Sequence, residues 1–203
     1  MVLTKGERTR QHIIDTAAPL FNQRGFTGAS MADLMEATGL EKGGIYRHFG
    51  SKDEVAVAAF DHAVELQTRR IREYALRETT AVGRLSAFCN ALASSFRDPV
   101  VTGGCPLLNT AIECDDGNTS VHAELRVRSR RAMRRLIAYA RKIIAAGVES
   151  GELVPGADPS AEAEMMVATL EGAVMLSKLY DDPHYVNQAA TLLAKRAASL
   201  ART

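Results

Sequence analysis

The sequence predicts an all-α fold of about nine helices, with a small N-terminal domain of three helices and a larger helical domain after it. Apolar residues recur at helical spacing almost everywhere along the 203 residues. Alternation of apolar and polar residues never persists over a window, so no strand is expected. Helix starts are marked by Asp158-Pro159 and Asp182-Pro183, each an N-cap acid followed by proline at the first helical position.

Helical periodicity and capping signals place each element in turn. The first helix stops at Gly25, and Gly39-Leu40 forms a turn between two short helices. Ser51 and Glu54 have the spacing of a capping box, in which each side chain accepts a hydrogen bond from a free amide at the start of a long fourth helix. The second and third helices are expected at 30–37 and 41–48. Five further helices are expected after the long fourth one, at 80–97, 105–113, 120–150, 159–181 and 183–200.

Helix length suggests a domain boundary near residue 50. Residues 1–50 hold three short helices, and residues 51–203 form longer and more apolar ones. The smaller domain is expected to fold around five apolar side chains, namely Phe21, Met31, Leu34, Ile45 and Phe49.

Composition excludes several classes of protein. With 46% hydrophobic residues the chain is not disordered, and the longest stretch without a charged residue, 14 residues at 99–112, is too short to cross a bilayer. The first 15 residues contain no apolar core, so we expect no secretory signal and a cytoplasmic protein. The net charge of +1 argues neither for nor against a nucleic-acid partner.

Neither a cofactor nor a metal ion is expected. The three cysteines, Cys89, Cys105 and Cys114, form no Cys-x-x-Cys pair, and their spacing supports neither a zinc site nor a disulfide framework. No nucleophile elbow, phosphate-binding loop or His-Glu-x-x-His sequence is present, so the chain is predicted not to be an enzyme.

Two short helices joined by a turn containing glycine form a helix-turn-helix arrangement. The major groove of B-DNA is about 12 Å wide and admits one helix, which a preceding helix braces. In the second of these helices Ile45 and Phe49 can face inward, while Lys42, Arg47 and His48 project outward.

The segment from Phe26 to Glu54 reads FTGASMADLMEATGLEKGGIYRHFGSKDE. It resembles the DNA-binding domain of the TetR family of bacterial transcriptional regulators, most closely from Gly39 onward. The remaining helical length is similar to the ligand-binding and dimerisation domain of that family. Residues 105–116, CPLLNTAIECDD, look like a segment found in one TetR subgroup.

The resemblance implies roles for seven residues at the DNA. Phosphate contacts are expected from four of them and base contacts from Lys42 and Arg47, because Arg and Lys read guanine well. The seventh residue is Gly43. Together with Gly44 it has two possible explanations: a close approach of the backbone to DNA, or tight packing against the first helix that excludes a side chain. Ala29 and Glu41 depart from the family pattern, in which a hydroxyl residue and a serine are common. The four expected phosphate contacts are Ser30, Tyr46, His48 and Lys52.

The resemblance further implies a ligand-responsive regulator, a repressor that binds a palindromic operator as a homodimer and is released by a small hydrophobic or aromatic effector. The last two helices are rich in small residues, which favours a dimer interface, with packing inside one chain as the alternative. The candidates for the effector pocket are Phe60, Phe88, Leu92, Phe96, Cys105, Leu108, Met133, Ile137, Met166 and Leu170.

Three alternatives stay open. Cys105 stands at an expected helix N-terminus, where the dipole lowers a thiol pKa, so the repressor could sense oxidants or electrophiles. The chain could also be a helical interaction module without specific DNA binding. The densest basic run, from Arg126 to Lys142, is a nucleic-acid site, a solvated face beside a buried apolar stripe, or a set of partners for acids on neighbouring helices.

Overall fold

The computed structural model describes residues 4–115 and 117–202, with the backbone alone at Ser95. These residues form nine α-helices and no β-strand, which confirms the all-α prediction. Every predicted helix limit lies within two residues of the observed one. The helices are α1 Lys5–Arg24, α2 Met31–Thr38, α3 Lys42–Tyr46, α4 Lys52–Leu76, α5 Ala81–Arg97, α6 Pro106–Glu113, α7 Ser120–Glu149, α8 Pro159–Tyr180 and α9 His184–Ser199.

Most helix starts follow the capping signals of the sequence. The Asp158 carboxylate accepts hydrogen bonds from the amides of Ser160 and Ala161, with Pro159 at the first helical position of α8. At α9 the prediction was wrong by one residue, because Pro183 itself occupies the N-cap position. The Asp182 carboxylate nevertheless accepts a hydrogen bond from the His184 amide, 2.8 Å away.

The capping box predicted at the start of α4 forms only in part. The Ser51 hydroxyl accepts a hydrogen bond from the Glu54 amide at 3.1 Å, as expected. The Glu54 carboxylate, however, accepts the amide of Gly50 at 2.7 Å. This arrangement ties the turn after α3 to the first turn of α4.

The chain divides into two compact units, each discontinuous in sequence. The first comprises residues 4–66, 100–115 and 117–129, and the second comprises residues 67–99 and 130–202. Helices α4 and α7 therefore supply residues to both units. The boundary near residue 50 stays a prediction.

The core of the first unit is built on α1, α2 and α3. Leu34 and Ile45 are completely buried, and Phe21 and Phe49 are buried with them. Met31, the fifth predicted core residue, is only half-buried. Helix α6 also packs against α1 in this unit.

The second unit centres on α5, α8 and α9, which pack against one another. Its largest fully buried side chains include Leu85, Phe88 and Leu92 of α5 and Met166 and Leu170 of α8. None of the helices described in either unit combines the length and apolar character needed to cross a membrane.

Candidate nucleic-acid interface

Helix α2 has a defined cap at each end, and its C-terminal cap begins the tight turn to α3. Ser30 caps α2, because its hydroxyl accepts the Asp33 amide at 3.1 Å while the Asp33 carboxylate accepts the Ser30 amide at 2.7 Å. Hydrogen bonds from the Ser30 hydroxyl and amide lower the pKa of the Asp33 carboxyl below its ordinary value. Gly39 ends α2 in the left-handed conformation at φ 67°, which a side chain would disfavour.

Helix α3 is a single short turn held by apolar anchors. Ile45 is completely buried and Phe49, just after the helix, is 3% exposed. On the opposite side Lys42 and Arg47 are exposed, and Tyr46 is 40% exposed. The Lys42 ammonium lies 5.8 Å from the centre of the Tyr46 ring. The predicted division holds for Ile45, Phe49, Lys42 and Arg47, whereas His48, which was also predicted to project outward, is half-buried.

The glycine pair at the start of α3 has open surroundings. A Cβ atom added to Gly43 would meet nothing within 4 Å, and one added to Gly44 would make only ordinary contact with Leu40, at 3.6 Å. Tight packing against α1 is therefore not the reason for either glycine. The alternative, a close approach of the backbone to DNA, stays a prediction.

Lys52 has a role inside the protein that the sequence did not reveal. Its ammonium donates a hydrogen bond to the carbonyl oxygen of Ala29 and lies 5.4 Å from the centre of the Phe26 ring. The side chain is half-buried and joins the first turn of α4 to the residue before the N-cap of α2. An ammonium has three donors, so this bond leaves donors for a phosphate.

The remaining candidates differ in how freely they reach solvent. Ser30 is exposed, but its hydroxyl also donates to the Asp33 carboxylate at 2.6 Å, so capping already uses it. His48 is half-buried, beside Phe49 at the end of the helix-turn-helix segment. Glu41 is the N-cap of α3, and its side chain makes no capping hydrogen bond there. An exposed carboxylate thus directly precedes Lys42, the first residue of α3.

A second set of contacts connects the turn between α1 and α2 to α6. The Glu113 carboxylate accepts the amides of Phe26 at 3.0 Å and Thr27 at 2.8 Å. Gly25 permits this approach, because a Cβ atom there would lie 2.8 Å from a Glu113 carboxylate oxygen. Sequence reasoning missed Glu113, since no local pattern links residues 86 and 87 positions apart.

Two amide side chains and a histidine extend this connection. The Asn109 amide donates to the carbonyl oxygen of Asn22 at 3.0 Å and to its side-chain oxygen at 2.9 Å. The His122 ring is 9% exposed and packs edge-on against Phe26, with 4.7 Å between ring centres. Helices α6 and α7 therefore brace the segment that carries the N-cap of α2.

The ten candidates for an effector pocket fall in both units. Phe60, Cys105 and Leu108 lie in the first unit, and the other seven lie in the second. Within the first unit Phe60 lines a cavity of about 30 Å³, which has room for water and not for an effector. In the second unit four candidates are buried, namely Phe88, Leu92, Met166 and Leu170, and Phe96, Met133 and Ile137 are half-buried.

The three cysteines are all buried and reduced. Burial raises the pKa of the Cys89 thiol to about 12, and it also raises the pKa of Cys114. Cys105 occupies the N-cap position of α6, close to the predicted helix start, and is 1% exposed. An electrophile reaches such a thiol only after local opening, and the sensing alternative stays a prediction.

Comparison with known proteins identifies the family. Residues 13–59 match the family described as "Bacterial regulatory proteins, tetR family". Residues 81–193 match the family described as "Tetracyclin repressor-like, C-terminal domain". The chain belongs to the TetR family. TetR-family proteins are DNA-binding transcriptional regulators rather than enzymes, so the predictions of family, regulatory class and absence of catalysis are confirmed.

Individual TetR-family relatives cover nearly the whole chain. The crystal structure of a TetR transcriptional regulator from Chloroflexus aurantiacus is 39% identical and superimposes with a TM-score of 0.91, covering 98% of this chain and 99% of that one. A TetR-family regulator from Cytophaga hutchinsonii is 33% identical, with a TM-score of 0.89 and full coverage of both chains. The transcriptional repressor NemR of Escherichia coli is 25% identical over 172 residues, 84% of each chain.

Proposed function

We propose that the protein is a ligand-responsive repressor that binds a palindromic operator as a homodimer through α3. The observation that carries the proposal is the outer face of α3, where Lys42, Tyr46 and Arg47 are exposed while Ile45 anchors the helix. A helix held in this way can enter the major groove with its polar side chains toward the base edges. As a regulator of transcription, the protein would act in the cytoplasm, where the DNA lies.

The contacts divide into base readers and phosphate binders. Lys42 and Arg47 are the proposed base readers, since both are exposed long cations. Tyr46, His48, Ser30 and Lys52 would contact phosphates, and the amides at the N-terminus of α4 would add to the Lys52 contact. Gly43 would let the backbone come close to the duplex.

An exposed apolar stripe on α8 supports the homodimer. Its six residues follow a strict spacing of four, three, four, three and four positions, which keeps them on one side of a helix. Five of the six are exposed, with Met175 at 45% and Leu179 at 70%, and Gly172 is half-buried. A second copy of the chain would cover this face in a four-helix bundle that also uses α9. The stripe comprises Ala161, Met165, Ala168, Gly172, Met175 and Leu179.

A small hydrophobic or aromatic effector would release the repressor from DNA. The proposed pocket residues are mostly aliphatic and aromatic, which suits an apolar ligand. Release follows if the effector binds more tightly to a conformation in which the two α3 helices no longer match the half-sites. Helix α4 is the proposed link, because it begins at Lys52 beside the interface and continues without a break to Leu76.

Arg47→Ala and Lys52→Ala separate base reading from phosphate binding. We expect Arg47→Ala to weaken operator binding by about 1–3 kcal/mol, roughly 5- to 150-fold, and to relax the preference at one base pair. Lys52→Ala is expected to weaken binding to every sequence equally and to reduce the magnitude of the negative slope of log K against log salt by about one unit. Fluorescence anisotropy on operator variants at several salt concentrations measures both effects.

Two control variants make the comparison specific. Arg97→Ala removes an exposed arginine of α5 and should leave operator binding unchanged. Lys52→Gln removes the positive charge and keeps an amide donor for the Ala29 carbonyl, so a loss that it shares with Lys52→Ala is assigned to the phosphate contact and not to a loosened helix-turn-helix segment. If Arg47→Ala and Lys52→Ala gave identical profiles across operator variants, the proposed division of contacts would be wrong.

A further inference from the structure

One face of α7 carries six cations that no described part of the chain neutralises. All six are exposed, and none of them forms a hydrogen bond or an ion pair with any residue that the structure describes. They belong to the second unit and lie outside the helix-turn-helix segment. We call this face the α7 basic face, and its members are Arg130, Arg131, Arg134, Arg135, Arg141 and Lys142.

Helical geometry gathers these charges into one surface. At about 100° per residue, the six side chains fall within an arc of roughly 140° and along about 18 Å of the helix axis. Between Arg130 and Lys142 that arc contains a single uncharged residue, Ala138. The opposite side of the helix carries Leu136 and Ala140, which are buried.

The charge on this face is not offset within α7. The helix has no acidic residue between Glu124 and Glu149. Two arginines one turn earlier behave differently: Arg126 donates to the carbonyl oxygen of Cys114 at 2.9 Å, and Arg128 pairs with Glu124 at 2.7 Å. Of the alternatives for this run, pairing with an acid holds for Arg128, whereas the six members of the basic face are exposed and have no ion-pair partner among the described residues, as a solvated face would be.

The chemistry of this face fits a phosphate backbone. Six like charges within about 18 Å repel one another, and a polyanion relieves that repulsion and releases its own counterions. Five of the six are arginines, whose guanidinium groups bind phosphate in a bidentate manner. A membrane-surface helix needs large apolar residues beside its cations, whereas this arc offers only Ala138.

We propose that the α7 basic face binds the phosphate backbone of duplex DNA, without reading bases, as a second DNA contact separate from α3. DNA is the chosen partner because the family is DNA-binding and because duplex DNA presents one phosphate per about 1.7 Å of its axis. The second contact raises affinity for any duplex and leaves the preference for a particular sequence to α3.

The test compares two full-length variants with the same net charge. The face variant carries Arg130→Gln, Arg131→Gln, Arg134→Gln and Arg135→Gln. The control variant carries Arg69→Gln, Arg72→Gln, Arg97→Gln and Lys195→Gln, four exposed cations of the second unit that also lack a described partner. Anisotropy measures binding to a random-sequence duplex and to a selected palindrome between 50 and 200 mM NaCl, values chosen because phosphate contacts show clearly over this range.

On random duplex the slope of log K against log salt is negative, and in the face variant we expect its magnitude to fall by about two to four units, at about 0.9 per phosphate contact. The control variant should keep the wild-type slope, and a face variant with Arg→Lys in place of Arg→Gln should also keep it. The ratio of affinities for palindrome and random duplex should be unchanged in all of them. That ratio tests α3, so a failure of the proposed operator binding is distinguishable from a failure of this proposal.

Three results would overturn the proposal. Equal slopes in the face and control variants would show that the face contacts no phosphate. A loss in the Arg→Lys variant as large as in the Arg→Gln variant would show that charge is not the cause. Loss of binding to phosphatidylserine vesicles by the face variant, with the DNA slope intact, would assign the face to a membrane surface.

Discussion

The double substitution Met175→Glu and Leu179→Glu is expected to convert the protein from a dimer to a 21.9-kDa monomer and to abolish operator binding. These side chains are the last two of the six residues in the α8 stripe, with 45% and 70% of their surface exposed. In a two-fold dimer the variant would place four carboxylates in one apolar seam, where desolvation and repulsion oppose association. A monomer contacts one half-site at a time, so affinity should fall by roughly 100-fold or more.

A matched control accompanies this prediction. Leu76→Glu with Val100→Glu changes two apolar residues of nearly the same exposure, 73% and 41%, that lie outside the stripe. Sedimentation velocity gives the mass of each variant, and anisotropy on the operator gives the affinity. The control should remain dimeric. A dimeric Met175→Glu/Leu179→Glu variant with wild-type affinity would place the dimer interface elsewhere.

Glu113→Ala is expected to lower the free energy of unfolding by about 1–3 kcal/mol. The carboxylate accepts the amides of Phe26 at 3.0 Å and Thr27 at 2.8 Å, and its loss leaves the part-buried Phe26 amide without an acceptor, whereas the exposed Thr27 amide can bind water. Those amides lie in the turn between α1 and α2, just before Ser30 caps α2. Loosening that turn should also weaken operator binding.

Urea unfolding of the full chain measures the first effect, and anisotropy on the operator measures the second. Glu36→Ala removes an exposed glutamate of α2 and should change the free energy of unfolding by no more than about 0.5 kcal/mol. If Glu113→Ala unfolded at the same urea concentration as Glu36→Ala, the two amide contacts would contribute nothing to stability.

Helix limits could be predicted from the sequence because they depend on neighbours in the chain. Asp158 caps α8 through the two amides that follow it within three positions, and Gly39 ends α2 through its own backbone conformation. The length of each helix and the side that it buries then follow from the spacing of its apolar residues. Such signals predict the limits of the described helices, but they do not specify which helices pack against each other.

The faces of α8 show why packing was harder to predict. The helix is apolar on two sides, so periodicity alone does not separate its core from its exposed surface. The structure buries Met166 and Leu170 and leaves Met165 and Met175 exposed; the placement of Met166 and Leu170 in an effector pocket stays a prediction. Burial, and not composition, separates the two groups.

The exposed side of α3 was largely predictable from the sequence, whereas the contacts that hold α3 in place were not. Lys42 and Arg47 project as the pattern around Ile45 indicates, whereas His48 is half-buried. The Lys52 bond to Ala29 spans 23 positions, and the Glu113 contacts span more than 80. Contacts of that range depend on tertiary packing, which no local sequence pattern specifies.

Selection of bound species from a randomised duplex library tests the central claim most directly. The purified full-length protein is mixed with the library at physiological salt, and the bound molecules are sequenced. We expect a palindrome whose half-sites lie one helical turn or a multiple of it apart, because two copies of α3 related by a two-fold axis must read them. Recovery of random sequence alone, with binding that depends only on salt, would contradict specific operator recognition by α3.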